Sequence, residues 1–426
     1  MPLKESVRAA AIDSFLSRNI AVPSKDDNLA ALYLSKVFSD FDLSLIRPRH
    51  GSGSVAEARV NKLDLFHLNF QSESVFPIKT WGFGGDSLLY NQSNLRPRLS
   101  YVSRITFVPK DSKGPRTIAM EPAQAQYLQQ ALMRYMYKRL GRVGTDLHDQ
   151  TRMHKLASDY RYVTMDLSNA SDSISLSGVE KLFRHCPQLL TCLLATRSRS
   201  TVIDGVEHQL NMYATMGNAT TFPVMTAILL AIGRGRGHEV HVYGDDIIVH
   251  KDDYVDYSRA LQRHNFQVNP RKSFVGRVRE SCGVYLYQGI DVTPTYIRAF
   301  GSSGADLWSY HETANQLVAS WFYQTAETLF RYIEQSVGKI PYTGSASLGF
   351  MSRRNPRDKA WLPVTKSWCS RLHGYRFRGW VPHIREVHHT YGDDHLLYAN
   401  WLATAAAAPY WRRAEVVGLK RRLITV

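Results

Sequence analysis

This sequence predicts an α+β fold, on three observations. Two segments, Tyr160–Asp166 and Val240–Val249, alternate or cluster β-forming apolar residues at strand spacing. Between them, Phe222 to Ile232 reads as a buried helix, with Pro223 near its first turn and Gly233 ending it. Beyond residue 300 the pattern turns helical, with Leu317, Trp321, Leu329 and Ile333 at near-helical spacing.

Taken in chain order, Leu29 to Phe41 is an amphipathic helical candidate, followed by a loop, Arg47 to Ser54, of Arg, Pro, His, Gly and Ser. In 104–121, Arg104, Lys110, Lys113 and Arg116 place four positive charges around a Gly114-Pro115 turn. Cations in a turn usually just face water, but across the path of a triphosphate they would neutralise and orient it. In the next strand Tyr162, Thr164 and Asp166 share one face, and Val163 and Met165 the other. Asp166 therefore lies at a strand end, where a side chain can serve an adjoining cleft. A helix follows, because Ser177 and Glu180 have capping-box spacing and Val179, Leu182 and Phe183 can share a face. Asp172 could cap it. A basic insertion near 186–210, with Arg197 and Arg199, reads as a solvated hairpin or as a template contact.

The tetrapeptide Tyr-Gly-Asp-Asp occurs at 243–246 and again at 391–394. Val240 and Val242 precede the first copy and Ile247, Ile248 and Val249 follow it, the pattern of a strand, a Gly-Asp tight turn and a returning strand. Such a hairpin exposes two adjacent carboxylates at its tip. The second copy follows a polar stretch, and there an Asp caps a helix carrying Leu397, Tyr398, Trp401 and Leu402 on its apolar face. Set the 160–166 strand beside the first hairpin and Asp166, Asp245 and Asp246 converge. Three carboxylates that close repel unless cations neutralise them, and oxygen donors of this kind suit Mg²⁺ or Mn²⁺. Two such ions, roughly 3.5–4 Å apart, can hold the attacking and leaving oxygens of an in-line phosphoryl displacement. Each element alone is an ordinary turn or strand end. Their order carries the reading.

Six stretches in sequence bear a family resemblance: Pro109–Pro122, Met165–Ile174, Met216–Phe222, Tyr243–Asp246, Asn269–Phe274, and Arg279–Gly283 with Asp291–Pro294. The set resembles the palm of a viral RNA-directed RNA polymerase and closely resembles the replicases of the single-stranded RNA bacteriophages, the leviviruses. It covers about 100–294, nearly half the chain. The resemblance implies a right-hand architecture: an N-terminal helical extension over 1–60 and fingers over 61–157, with the basic 104–121 segment lining the nucleotide channel. A palm of antiparallel sheet plus helices then spans 158–298, interrupted by a fingers insertion near 186–210, and a mainly helical thumb and C-terminal region spans 299–426.

The activity implied is RNA-directed copying of a positive-strand phage genome from NTPs, with two Mg²⁺ ions (or Mn²⁺) and initiation without a primer. Asp166 and Asp245 become metal ligands, and Asp246 assists them or holds the hairpin geometry. Lys110, Lys113 and Arg116 match the basic positions of the nucleotide channel. Asp172 and Asn218 would sense the ribose 2′-hydroxyl, with Gly217 allowing backbone flexion. Lys272 would lie near the leaving pyrophosphate, where an ammonium can donate a proton or stabilise charge. Cys282 fits the family pattern as a buried small hydrophobe, Gly283 allows a tight turn, and Val284–Tyr287 reads as a supporting strand. Implied partners are the RNA template and product, the NTPs, host translation elongation factors Tu and Ts, and a large host ribosomal RNA-binding protein. The implied location is the cytoplasm of the infected bacterium.

Composition agrees. With 53 Lys+Arg against 37 Asp+Glu the net charge is +16, which favours polyanion partners. Four cysteines without paired metal spacing suggest a reducing compartment. The longest apolar run, around Val224–Ile232, is well short of a membrane span, and the N-terminus lacks a signal-peptide apolar core. A reverse transcriptase shares the palm chemistry but lacks the Asp172/Asn218 pattern. A basic RNA-binding virion protein would explain the charge and has no need of the three carboxylates together.

Overall fold

The computed structural model describes residues 5–48, 55–56, 102–111, 114–297, 300–340, 343, 349–350, 366–387 and 413–425. They fall into two units, Met1–Asp291 and Val292–Val426. The first unit opens with α1 (Glu5–Arg18), α2 (Asn28–Val37), β1 (Val102–Asp111), β2 (Gly114–Met120), α3 (Ala123–Arg142) and α4 (Thr151–Ala157). Next come β3 (Tyr162–Met165), β4 (Leu167–Ser168), α5 (Leu176–Leu182), α6 (Pro187–Thr196), β5 (Ser200–Ile203), β6 (Val206–Gln209) and α7 (Thr221–Arg234). It closes with β7 (Val240–Tyr243), β8 (Asp246–His250), α8 (Tyr254–Arg263), β9 (Gln267–Val268), β10 (Val278–Ser281), β11 (Val284–Tyr287) and β12 (Ile290–Asp291). The second unit contains α9 (Gly304–Ala319), α10 (Tyr323–Val337), β13 (Ser367–Cys369), β14 (Gly374–Val387) and β15 (Arg413–Thr425).

The centre of the first unit is a three-stranded antiparallel sheet in the order β3-β8-β7. All four residues of β3 are buried, on both faces, so the strand reads as nearly continuous apolar sequence around Thr164. Helix α7 covers this sheet, and every residue from Pro223 to Gly233 is buried. The helix runs one residue past Gly233, to Arg234. Gly233 is an interior position whose missing side chain makes room for Val240 and Tyr257. The core continues through Leu132, Met136, Val179, Leu182 and Phe183, as the shared helical face anticipates. The N-cap of α5 differs from expectation: Gly178 N–H donates to the Ser175 hydroxyl at 3.1 Å, two residues before Ser177. Ser177 instead donates to the Val22 carbonyl and ties down the N-terminal segment.

A second sheet, β2-β1-β5-β6, mixes antiparallel pairs with one parallel pair, β1 with β5. The β1–β2 pairing matches Asp111 with Gly114, so Gly114 and Pro115 begin β2 rather than forming the turn itself. The basic insertion is α6 followed by the β5–β6 hairpin, whose outer strand β6 is mostly exposed, but Arg197 is neither solvated nor free to meet a template. That side chain is buried, and its guanidinium donates to the carbonyls of Tyr213 (2.7 Å), Leu210 (3.0 Å) and Met212 (3.1 Å). Arg199, one turn of alternation later, is exposed.

In the second unit α9 and α10 pack around Leu307, Trp308, Ala314, Phe330 and Ile333. Trp321 is not on that face. It sits between the helices at φ +69° and is 79% exposed. Helices account for only part of this unit, because β14 and β15 form a long antiparallel ladder to which β13 adds. Phe377, Val381 and Ile424 are buried on its inner face. Lys420, Arg421 and Arg422 therefore belong to an edge strand rather than a loose tail, and Arg421 lies 5.2 Å from the Trp380 ring centre. Charge on an edge strand blocks pairing with another chain. The 391–394 tetrapeptide, with its expected helix cap, lies outside the described residues.

Replacing Arg197 with Ala strands three buried carbonyls, each costing about 1–3 kcal/mol when left unsatisfied. Denaturant unfolding should show a loss of at least about 3 kcal/mol. A change under about 1 kcal/mol would mean water replaces the guanidinium.

Candidate active site

The pairing of β3 with β8 places the acidic residues. Met165 lies opposite Ile247, so Asp166 comes next to the first residue of β8, Asp246. Residues directly opposite in an antiparallel pair point to the same face. The β7–β8 hairpin closes in two residues, with Tyr243 opposite Asp246 and Gly244 at φ +65°. Glycine is required there twice over, since a side chain would also collide with the Phe222 ring. Gly244 N–H donates to the Thr226 hydroxyl at 3.1 Å, and the Phe222 and Tyr243 rings meet edge to face at 5.4 Å. Thus the buried helix α7 pins the hairpin tip from behind. Asp245 is exposed at that tip, whereas Asp246 is half-buried. The two adjacent carboxylates are not equivalent.

The segment after β9 runs along β3. Asn269 N–H donates to the Asp166 carbonyl (2.9 Å), and Phe274 N–H to the Thr164 carbonyl (2.8 Å). Those bonds bracket Lys272 and set its Nζ 3.6 Å from Asp166 Oδ2, an oxygen that also accepts from Asn269 Nδ2 at 3.0 Å. Burial raises the Asp166 carboxyl above its ordinary value and the Asp245 charge adds to this, while Lys272 and Asn269 oppose it.

Sequence reasoning passed over Glu280, on β10. Its N–H donates to the Thr164 hydroxyl (3.3 Å), and its carboxylate accepts from Gly283 N–H (3.0 Å). Burial raises its carboxyl, and the charges of Asp166 and Asp245 push the same way. The turn it braces holds Cys282 and Gly283 at φ +51° and +80°, a two-residue hairpin of mirror-image type. Cys282 is therefore more than a space filler. Burial, with the Asp246 charge, pushes its thiol up to about 12, and its backbone helps hold Asp246. Asp246 itself is pushed up to about 7, by burial first and then by Asp245 and Glu280.

Among the described residues no three acidic, His or Cys side chains are gathered tightly enough to cage a metal ion. An open row of carboxylates suits Mg²⁺ all the same, since that ion commonly takes one or two carboxylates and completes its shell with water and substrate phosphates. The raised carboxyls of Asp166, Asp246 and Glu280 point to the same need for positive charge.

Asn218 is buried. Its Oδ1 accepts from Thr220 N–H (2.8 Å) and the Thr220 hydroxyl (2.7 Å), and its Nδ2 has no partner among the described residues. Gly217, at φ +125°, is explained by close approach: a side chain would run into the Ala119 carbonyl oxygen, and Ala119 N–H donates to the Met216 carbonyl at 2.8 Å. Asp172 is not hydrogen-bonded to Asn218. It accepts from Arg18 Nε at 2.7 Å. Arg116 is exposed on β2, Lys110 lies in β1, and Lys113 lies outside the described residues.

A sheet with paired carboxylates at one end, a lysine beside them and a buried backing helix presents the oxygen donors and positive charge that suit a divalent cation and a phosphate. The RNA replicase, beta-chain family model matches residues 89–311, and the chain belongs to that family. It is 37% identical over 220 residues to the RNA-directed RNA polymerase beta chain of Escherichia phage MS2, across 49% of this chain and 40% of that one. It is 36% identical over 222 residues to the RNA-directed RNA polymerase subunit beta of Escherichia virus Qbeta, across 49% and 37%. The match thus spans about 40% of the relatives' length. Among solved structures, the RNA-dependent RNA polymerase of a human picorbirnavirus is similar over 78% of this chain and 74% of its own, at 12% identity and a TM-score of 0.47.

In the folded chain without a cation, Asp246 keeps its proton up to about pH 7, whereas an unfolded aspartate loses it near 3.8. The folded state then binds the extra proton, so this contribution to stability falls as pH rises from about 3.8 to 7. Thermal unfolding in chelator should show Asp246→Asn gaining on the wild type across that window. Mg²⁺ should narrow the gap at its upper end. A gap independent of pH would contradict the assignment.

Proposed function

We propose that this chain polymerises RNA on an RNA template from ribonucleoside triphosphates, as the catalytic chain of a phage replicase. The observation that carries the reading is the β3–β8 register inside the family-matched segment, which sets Asp166 beside Asp245 and Asp246 with Lys272 3.6 Å from Asp166. Asp166 and Asp245 are the metal ligands, and Asp246 supports them from its half-buried position. Two divalent cations bound there would offset the carboxylate charge and stabilise the charge developing on the transferred phosphoryl group.

The chain's own residues do the rest. Arg116, with Lys110 and Lys113, orients the triphosphate. Asp172 accepts a hydrogen bond from the ribose 2′-hydroxyl, and Asn218 offers its unpartnered Nδ2 to a sugar oxygen. Lys272 is a flexible cation, 58% exposed, able to reach from Asp166 to a leaving pyrophosphate and protonate it. Fingers over 61–157, palm over 158–298 and thumb over 299–426 remain the working map. Primer-independent initiation, elongation factors Tu and Ts, the ribosomal RNA-binding protein and a site of action in the infected bacterium rest on the levivirus resemblance. The net charge of +16 supports a long polyanion as partner.

The test is radiolabelled NTP incorporation on a structured RNA with Mg²⁺, with and without bacterial extract. Asp166→Asn and Asp245→Asn should make no detectable product, Lys272→Ala should slow elongation about a hundredfold, and Asp394→Asn should behave as wild type. Product from Asp245→Asn would remove this site from the chemistry. Equal use of dNTPs would point to a reverse transcriptase.

A further inference from the structure

The carboxylate assigned to ribose sensing is held by a residue far outside the family-matched segment. Arg18, the last residue of α1, donates from Nε to Asp172 Oδ2 at 2.7 Å across 154 positions of sequence. The side chains are 26% and 12% exposed, so the pair is mostly withdrawn from water. It borders a cavity of about 740 Å³, shared by the 17–22 segment, the 168–175 loop and residues 262–268. Among the described residues, Asp172 Oδ1 accepts only from the neighbouring Ser171 hydroxyl, at 3.2 Å. A carboxylate has about four lone-pair sites, so capacity remains for a ligand hydroxyl.

Arg18 is itself fixed on the sheet that carries the basic 104–120 strands. Phe15 is buried against Ile203, Leu210 and Met212, and Arg8 pairs with Asp204 at the other end of α1. The residue after Arg18 is clamped at three points. Asn19 Nδ2 donates to the Gln209 carbonyl (2.6 Å), Asn211 N–H donates to Asn19 Oδ1 (2.8 Å), and Asn211 Nδ2 donates to the Asn19 carbonyl (3.0 Å). A guanidinium fixed at its base and bonded at its tip restricts the rotamers open to its partner.

We propose that Arg18 is a positioning residue for sugar selection: α1 acts as a strut from the β2-β1-β5-β6 sheet that holds Asp172 where it can meet the 2′-hydroxyl of the incoming nucleotide. The proposal rests on the polymerase reading and on the role given there to Asp172. Without Arg18 the carboxylate turns among its rotamers, and the bond that a deoxyribose cannot make is weakened. The loss falls on ribonucleotides alone.

The experiment measures kcat/KM for one NTP and its dNTP counterpart with the full chain, supplemented by bacterial extract if the wild type needs it. Arg18→Ala should lower the NTP-over-dNTP ratio at least tenfold by reducing NTP use, with dNTP use unchanged. Arg18→Lys should recover part of the ratio. Asp172→Asn should lower it similarly, and the double variant should lose no more than the larger single loss. Arg8→Ala, which cuts the other end of the same helix, should keep the ratio, and thermal unfolding should show all variants folded. A parallel fall of NTP and dNTP use in both Arg18 variants, an unchanged ratio, or multiplicative losses in the double variant would overturn the proposal. Failure of the wild type to use any NTP with or without extract would instead bring down the polymerase reading beneath it.

Discussion

The antiparallel register of β3 against β8 is the constraint on which the rest depends. Sliding it by one residue would send Asp166 to the opposite face, because side chains alternate. Several contacts oppose that slip. Both faces of β3 are buried, Arg279 donates to the Tyr162 carbonyl at 3.1 Å, and the Asn269–Phe274 segment bonds along the free edge of the strand. Helix α7 fixes the facing hairpin through Thr226 and Phe222. The acidic end of the sheet is thus set by apolar packing and backbone pairing rather than by anything the carboxylates do for one another. Their mutual repulsion works against the fold.

The chain's positive charge is divided between inside and outside. Arg197 and Arg279 are buried on backbone carbonyls, and Arg234 bonds the carbonyls of Val240 and Val143. Arg236 pairs with Asp27, the N-cap of α2, whose carboxylate also accepts from His264 and from Ala30 N–H. Burial alone would raise the Asp27 carboxyl, but His264, Ala30 and Arg236 outweigh it and hold the group well below the usual range. That attachment therefore contributes fully above an ordinary carboxyl pKa and weakens only in strong acid. A net charge read from composition overstates what is left for nucleic acid, since arginines of this kind serve the fold.

Local signals carried the sequence reading a long way at the site. The strand ending at Asp166, the hairpin around Gly244, the buried helix after Phe222 and the strand Val284–Tyr287 all announce themselves within ten residues, by alternation, turn chemistry or an unbroken apolar run. What escaped has partners far away. Nothing near Arg18 signals Asp172, and nothing near Glu280 signals Thr164. Ser177 matched the capping-box spacing, but the preceding turn made Ser175 the cap. Trp321 kept helical spacing across a break at positive φ. The alternation in Gly374–Val387 was present, yet without its partner β15 the basic Lys420–Arg422 run resembles a solvated tail.

The parallel pair β1–β5 and the anchoring of α1 have a consequence for how the chain acquires its shape. Val102 waits for Ser200, Asn19 for Gln209 and Asn211, and Asp27 for Arg236 and His264. During synthesis α1 is made long before its partners, and it finds its seat only after Asp204, Gln209 and Asn211 have followed it from the ribosome. Closing such distant contacts is slow, and until α7 arrives the apolar side of α2 lacks its main cover. This segment is thus a latch that shuts on a nearly finished core, and a chain cut short before its third hundred residues would leave the latch open.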